Sequence, residues 1–279
     1  MDKKILVIGA AGFVGAPVTK QLLADGFSVR ALVRNADKAR QLLGDKVEIV
    51  TGSFEDKATL EKALADVSGV NISVPWQSEA QVARDVTEIL ARQGRKNVRV
   101  SYISGTTANP ENRGYAMIDE KLKAEEVLKK SGVEYTILRP SWFMDALALF
   151  VNDGRATVFG KQTQSYYFLS LADFARAVSK RTRPKPLRTR LSFSTVPKSM
   201  LLMTDALQQY CDARHSGVKA ASMPIWFGKM LAMMMKSPAM KDFVQMMAYF
   251  EKSPKVSQPN GAESILGTSS MTMSDWLKN

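Results

Sequence analysis

The sequence predicts an α/β fold: a doubly wound, mostly parallel sheet with a smaller, mainly helical C-terminal lobe. Three observations predict it. Short apolar runs alternate with stretches of helical period through the first half of the chain, as strands buried on both faces and covered by helices do. A glycine-rich turn joins the first such strand to the first helix. Beyond about Pro140 the alternation weakens, and residues 198–250 read as helices with short breaks.

Lys4-Ile5-Leu6-Val7-Ile8 is nearly all apolar and reads as a buried strand. It runs into Gly9-Ala10-Ala11-Gly12-Phe13-Val14-Gly15, and an amphipathic helix follows to about Ala24, closed by Asp25-Gly26. A second strand, Ser28–Val33, ends in Arg34. Further strands are expected at 47–50, 70–74, 98–103 and 135–138, with a late one near 191–194. The helix expected from Glu79 to Gln93 carries Val82, Val86, Ile89 and Leu90 on one face and stops at Gly94. Another, from about Ile118 to Lys130, ends at Ser131-Gly132. Right-handed crossovers would wind these into an open sheet. The expected division is a nucleotide-binding domain over 1–150 and a substrate-side lobe over 151–279, interleaved through a late strand near 190–195.

The turn carries the chemistry. Gly9 allows a tight exit from the strand, Gly12 lets backbone approach a pyrophosphate, and Gly15 lets helix pack close to sheet. The helix N-terminus directs N–H groups and a positive dipole end at phosphates. The residue ending the second strand can reach the adenosine ribose. An Asp or Glu there would accept from the 2′-hydroxyl and repel a 2′-phosphate. Arg34, followed by Asn35 and Lys38, favours the phosphate, so the expected cofactor is NADP(H). The other reading of Arg34 is a solvated residue starting a loop.

Composition narrows the class. At 279 residues, 45% hydrophobic and 24% charged, the chain can bury a full core. No apolar run reaches the roughly 18 residues of a membrane span. The first strand begins too early to leave room for a cleavable signal. A single cysteine, Cys211, excludes an internal disulfide, and a single histidine, His215, excludes a histidine-rich metal site. The cytoplasm is the expected compartment.

The net charge of +12 is uneven, with Arg176, Lys180, Arg181, Arg183, Lys185, Arg188 and Arg190 close together, broken by Pro184 and Pro186. This reads either as a solvated loop or as a surface for an anionic partner. It lacks the interleaved aromatics of a single-stranded nucleic-acid platform, so nucleic acid is not the expected partner. Methionines 230, 233, 234, 235, 240, 246 and 247 cluster with Trp226, Phe227, Phe243, Tyr249 and Phe250. They read either as the core of a helical lobe or as a pliable wall over an apolar pocket.

The glycine pattern resembles the atypical short-chain dehydrogenase/reductases, and Val33-Arg34-Asn35 with Lys38 resembles the NADP-binding strand end of their NmrA-like group. Lys121, Glu125 and Leu128, leading into Ser131 through Met144, are similar to that group's central signature, and Asp173-Phe174-Ala175 to a later helix. The likeness covers roughly residues 3–180, with Leu266-Gly267 and Met273 through Leu277 as a closing motif. It implies a Rossmann oxidoreductase in which Gly9, Ala11, Gly12, Phe13 and Val14 line the pyrophosphate and Arg34 holds the 2′-phosphate. Ser53 and Phe54 would flank adenine, although relatives often carry Asp where Ser53 stands. Val74 and Pro75 would approach the ribose and nicotinamide, Lys121 would bond the nicotinamide ribose, and Pro140, Trp142 and Phe143 would pass under the nicotinamide. Ser104 occupies a place where the wider superfamily often has an active-site Ser or Thr.

One departure matters. The family's tyrosine–lysine pair needs the phenol one helical turn before the lysine, where the ammonium lowers its pKa. Met117 stands there instead. Tyr115 lies six residues from Lys121, about 240° round a helix, and faces elsewhere unless the helix starts after it. The leading expectation is therefore an NADPH-dependent reductase passing hydride to a small conjugated apolar acceptor such as a quinone, enone or aromatic compound. The alternative is an NADP(H)-sensing regulatory or scaffold protein with a protein partner and no turnover. The sequence leaves the oligomeric state open.

Overall fold

The computed structural model describes residues 3–95, 97–182, 189–192, 200–256 and 271–278. Their contacts fall into two compact units. One holds the described residues of Met1–Pro140 and Leu171–Phe193; the other holds those of Ser141–Ser170, Ser194–Val256 and Ser269–Asn279.

The first unit is built on β1 (Lys4–Ile8), β2 (Ser28–Val33), β3 (Glu48–Thr51), β4 (Gly69–Ile72), β5 (Arg99–Ile103) and β6 (Tyr135–Arg139). The short strands β7 (Trp142–Phe143), β8 (Val151–Asn152), β9 (Arg155–Phe159) and β10 (Phe168–Leu169) belong to the second unit, and β11 (Thr189–Ser192) returns to the first. The main sheet has the order β3-β2-β1-β4-β5-β6-β11, and every pairing in it is parallel. The expected late strand is β11, registered against β6 by Thr189 opposite Thr136; residues 193 and 194 lie outside the described residues.

Helices α1 (Gly15–Ala24), α2 (Ala36–Leu43), α3 (Lys57–Leu64), α4 (Glu79–Arg92), α5 (Ala116–Lys130) and α6 (Leu171–Thr182) cover the sheet. Period-two alternation sorts the strand side chains between its faces. Leu6 and Ile8 join Leu60, Val86, Leu90 and Leu128 in one core under α3, α4 and α5. Ile5 lies on the opposite side, near Thr182 of α6 at Gly69, and α6 packs against α1. Burying a leucine-sized side chain contributes about 1.5–3 kcal/mol, so both helix layers are anchored by these stripes. A buried and a half-buried arginine finish α3: Arg30 donates to the carbonyls of Ala63 and Ala65, and Arg95 to those of Leu64 and Val67. The carbonyls of Ala63, Leu64 and Ala65 are acceptors that the C-terminus of α3 leaves without helical partners.

The chain passes from β1 to β2 and β3 on one side, then crosses back to place β4 on the other side of β1. The connections leaving the carboxyl ends of β1 and β4 therefore run to opposite sides, opening a crevice where ligands of open α/β sheets bind.

In the second unit β7 pairs with β10, while β9 pairs antiparallel with β8 and parallel with β12 (Ala220–Met223). Its helices are α7 (Met203–Arg214), α8 (Ile225–Met234), α9 (Pro238–Phe250) and α10 (Met273–Lys278). Over 200–250 the chain forms the expected helices with short breaks, and the break between α7 and α8 holds a strand, β12, that the sequence did not announce. Ala-Ala-Ser-Met has no intrinsic strand pattern, but pairing with β9 and a hydrogen bond from the Ala220 N–H to Gln208 Oε1 hold it extended. The methionine cluster divides. Met247 is fully buried and Met240 and Met246 pack on the core, whereas Met233, Met234 and Met235 of the α8 end stand exposed.

A β-carbon on Gly15 would lie 2.1 Å from the Gly9 carbonyl oxygen, whereas one on Gly114 would meet nothing within 4 Å. Gly15→Ala is expected to lower unfolding free energy by about 3 kcal/mol or more, as overpacking against backbone does. Gly114→Ala should change it by less than about 0.5 kcal/mol, as for an exposed position. Urea denaturation of both variants checks the difference.

Candidate cofactor-binding site

The crevice is a groove of about 270 Å³ lined by residues following four parallel strands: Gly9, Ala11 and Gly12 after β1, Arg34, Asn35 and Lys38 after β2, Gly52 and Phe54 after β3, and Ser73 and Pro75 after β4. Gly9 has φ +82°, and a β-carbon there would sit 2.0 Å from the Ser73 carbonyl oxygen. The turn is closed by Gly12 N–H donating to Gly9 O at 3.0 Å. Val14 is the N-cap of α1, with no side-chain cap and no acid in the first turn. Such an end leaves the dipole uncompensated for an anion.

Arg34 is exposed at the end of β2. Asn35 then caps α2, its Oδ1 accepting from the Lys38 N–H at 2.9 Å, and this turn brings Lys38 to the groove that Arg34 lines. Phe13 is 47% exposed and, like Val14, is not among the groove's lining residues. Of the expected adenine pair, Phe54 lines the groove while the Ser53 hydroxyl accepts from the Glu55 N–H in its own turn. Val74 packs on the core, and its neighbours Ser73 and Pro75 line the groove instead.

At the carboxyl end of β5 two buried carboxylates hold the other candidates. Lys121 Nζ lies 2.7 Å from Glu79 Oε1 and donates to the Ile103 carbonyl at 3.4 Å. The second oxygen of Glu79 accepts from the Tyr102 hydroxyl at 2.7 Å. Burial raises the pKa of Glu79 despite the Lys121 ammonium beside it, and burial with the Glu79 charge pushes the Tyr102 phenol well up. Ser104 donates to Glu125 Oε1 at 2.8 Å, and Arg139 closes a fork on both Glu125 oxygens at 2.7 Å. Burial works to raise the Glu125 carboxyl, but the Arg139 hydrogen bonds and charge outweigh it and hold the pKa below the ordinary value. Ser104 is therefore tied into a buried ion pair.

Helix α5 starts at Ala116, with Tyr115 as its N-cap. The condition under which Tyr115 escapes the unfavourable helical angle is thus met. Pro140 ends the first unit, its carbonyl accepting from the Thr106 N–H at 3.0 Å. Trp142 and Phe143 belong to the second unit, where the Trp142 ring packs 4.8 Å from Phe250 and 6.3 Å from Tyr166 between centroids. In the basic stretch Arg176 bonds Asp173, and Arg181 lends its carbonyl to Arg99. Residues 183–188 lie outside the described residues, as does Leu266-Gly267.

Sequence reasoning missed Glu79 and Tyr102. A glutamate opening a helix reads as an ordinary dipole-compensating residue, and a tyrosine in an apolar strand reads as core. Gly52 and Ser73 gave no signal either.

A profile of the NAD(P)H-binding family matches residues 9–180. An uncharacterized chloroplastic protein of Arabidopsis thaliana is 32% identical over 163 residues, 50% of this chain and 58% of the relative. A (4-alkanoyl-5-oxo-2,5-dihydrofuran-3-yl)methyl phosphate reductase of Streptomyces griseus is 31% identical over 140 residues, 50% of this chain and 48% of the relative. The chain thus spans about half the length of these curated relatives. Among solved structures, an NADPH-dependent quinone oxidoreductase from Escherichia coli, complexed with NADPH, superimposes with a TM-score of 0.78 over 98% of each chain at 18% identity. No helix among the described residues is long and apolar enough to cross a membrane.

Arg139→Met leaves the Glu125 charge buried without its fork, and the expected loss of stability is about 3–5 kcal/mol. The pH dependence has a definite sign. Because the folded-state pKa of Glu125 is lowered, its contribution is complete above the ordinary carboxylate pKa and is lost as pH falls through the lower folded value. Glu125→Gln should therefore flatten the acid side of a stability–pH profile measured by denaturant titration.

Proposed function

The chain belongs to the NAD(P)H-binding family, and from that membership we propose that it is an NADPH-dependent reductase acting on a conjugated, apolar acceptor: a quinone, an enone or an aromatic compound. Arg34 carries the cofactor choice. It lines the groove with Lys38, at the strand end where a carboxylate would select the unphosphorylated ribose.

The residues suit the cofactor. At Gly9 a side chain would collide with the opposite strand end, so backbone forms the wall where a pyrophosphate would lie. Gly9, Ala11 and Gly12 would hold the pyrophosphate, Arg34 and Lys38 the 2′-phosphate, and Phe54 the adenine. Lys121, its ammonium set by Glu79, would bond the nicotinamide ribose. When bound, the reduced nicotinamide supplies hydride to the acceptor.

The candidate proton donors support the acceptor class. Met117, one turn before Lys121, has no proton to give. The Ser104 hydroxyl is used by Glu125 and the Tyr102 hydroxyl by Glu79. Tyr115 remains as the one expected phenol, placed ahead of the helix that carries Lys121. An acceptor that delocalises its developing charge needs less help from such groups, because solvent can protonate it. The dihydrofuran-type reductase and the quinone oxidoreductase among the similar proteins agree with such acceptors. The single cysteine agrees with a reducing compartment such as the cytoplasm.

Arg34→Ala is expected to weaken NADPH binding by about 1.5–3 kcal/mol and leave NADH binding nearly unchanged. Fluorescence titration with each cofactor measures both. Equal losses would remove Arg34 from the phosphate site. Steady-state oxidation of NADPH across quinones and enones tests turnover. Tight NADPH binding with no acceptor above background would instead favour an NADP(H)-sensing protein.

A further inference from the structure

Helix α8 is seated by small residues and shows large apolar ones outward. Gly228 and Ala232 are buried, and a β-carbon on Gly228 would already press on Phe159 of β9 and Val244 of α9. On the other side, Trp226, Met230, Met233 and Met234 fall within about 100° of one another round the helix. Trp226 is 65% exposed, Met233 74% and Met234 70%. An ordinary surface helix turns its large apolar residues inward. A contiguous apolar face of this kind marks a contact surface.

The charge around this face is predominantly positive, with the acids Asp212 and Asp242 at its edges. Residues 213–241 include Arg214, Lys219, Lys229, Lys236 and Lys241 and no aspartate or glutamate. Lys229, Lys236 and Lys241 converge on a groove of about 550 Å³ between α8 and α9, floored by Ala232, Pro238 and Val244.

We propose that α8 and the start of α9 dock this protein on the surface of an anionic lipid bilayer, with Trp226 and the methionines among the upper acyl chains and the three lysines on lipid phosphates. Amphipathic surface helices that combine lysines with Trp and other apolar residues bind in this way. Tryptophan favours that depth because its ring is apolar and its N–H polar. A second copy of the chain is a poorer occupant. Two-fold docking through the same patch sets three lysines against three, with Asp242 the one acid beside them in sequence. The flexible methionines suit a fluid partner that offers no fixed shape.

The test uses the full chain with sedimented vesicles of phosphatidylcholine alone and of phosphatidylcholine with phosphatidylglycerol. Binding is expected only to the second, to fall with added salt, and to shift the emission contributed by Trp226, identified against Trp226→Phe. Replacing Lys229, Lys236 and Lys241 by Gln should reduce partitioning about fivefold per lysine. Met233→Ser with Met234→Ser should reduce it while leaving the circular dichroism spectrum and melting temperature unchanged, since both side chains are exposed. Absence of binding to the anionic vesicles, equal binding by the variants, or lipid-free self-association that needs Met233 and Met234 would each overturn the proposal.

Discussion

The first unit depends on one steric constraint: three stretches of backbone meet at Gly9 with no room for a side chain. The carbonyl of Ser73, after β4, occupies the place where a Gly9 β-carbon would stand, and the Gly9 carbonyl occupies the corresponding place at Gly15. Strand β1 can therefore turn sharply, α1 can lie close to the sheet, and β4 can come alongside. The same three approaches make the wall of the groove from backbone rather than side chains. The side chains that line the groove arrive from neighbouring strand ends, among them Arg34, Lys38 and Phe54, to which the proposed reading assigns specificity.

How far this was legible follows from what each element's sequence had to satisfy. The inner strands β1, β2, β4, β5 and β6 are buried on both faces, so they must be largely apolar runs, and the bounds of the sheet's strands fall within a residue or two of those expected. Arg34 could be read because its meaning depends on its distance from the glycine turn along the chain. The second unit could not be read so well. Strand β12 exists through pairing with β9, a contact between residues some sixty apart that no local pattern announces. At the groove, Ser73 rather than Val74 lines the wall, because β4 ends at Ile72 and not at residue 74. The pair formed by Glu79 and Lys121 spans 42 residues and joins two helices, so neither partner identifies the other in sequence.

The carboxyl end of β5 is fixed from two sides by carboxylates whose titrations run in opposite directions. The Glu79 pKa is raised by burial, so its contribution to stability is largest below the ordinary carboxylate pKa and is lost as pH rises through the raised value. Glu125, held down by Arg139, behaves in the reverse sense. The difference lies in the partners. Arg139 offers a planar fork that satisfies both oxygens at once, whereas Glu79 divides its oxygens between an ammonium and a neutral phenol. Helix α5 carries Lys121 and Glu125 one turn apart, so both networks brace the same helix against β5.

This arrangement gives a physical reason for the proposed acceptor. In a tyrosine–lysine pair, the ammonium stands beside the phenol and makes it the more ready acid. Here a phenol does lie near the ammonium, with Lys121 Nζ 5.9 Å from the Tyr102 ring centre. But Glu79 stands between them, accepts from both, and with burial drives the phenol pKa up rather than down. A group so held keeps its proton for the carboxylate. Glu79 and the Ile103 carbonyl fix the Lys121 Nζ in position, and in the proposed reaction it would order the ribose and favour a developing anion electrostatically. Chemistry supported by charge and position, with Tyr102 withheld as an acid, suits acceptors that stabilise their own anion, as quinones and enones do.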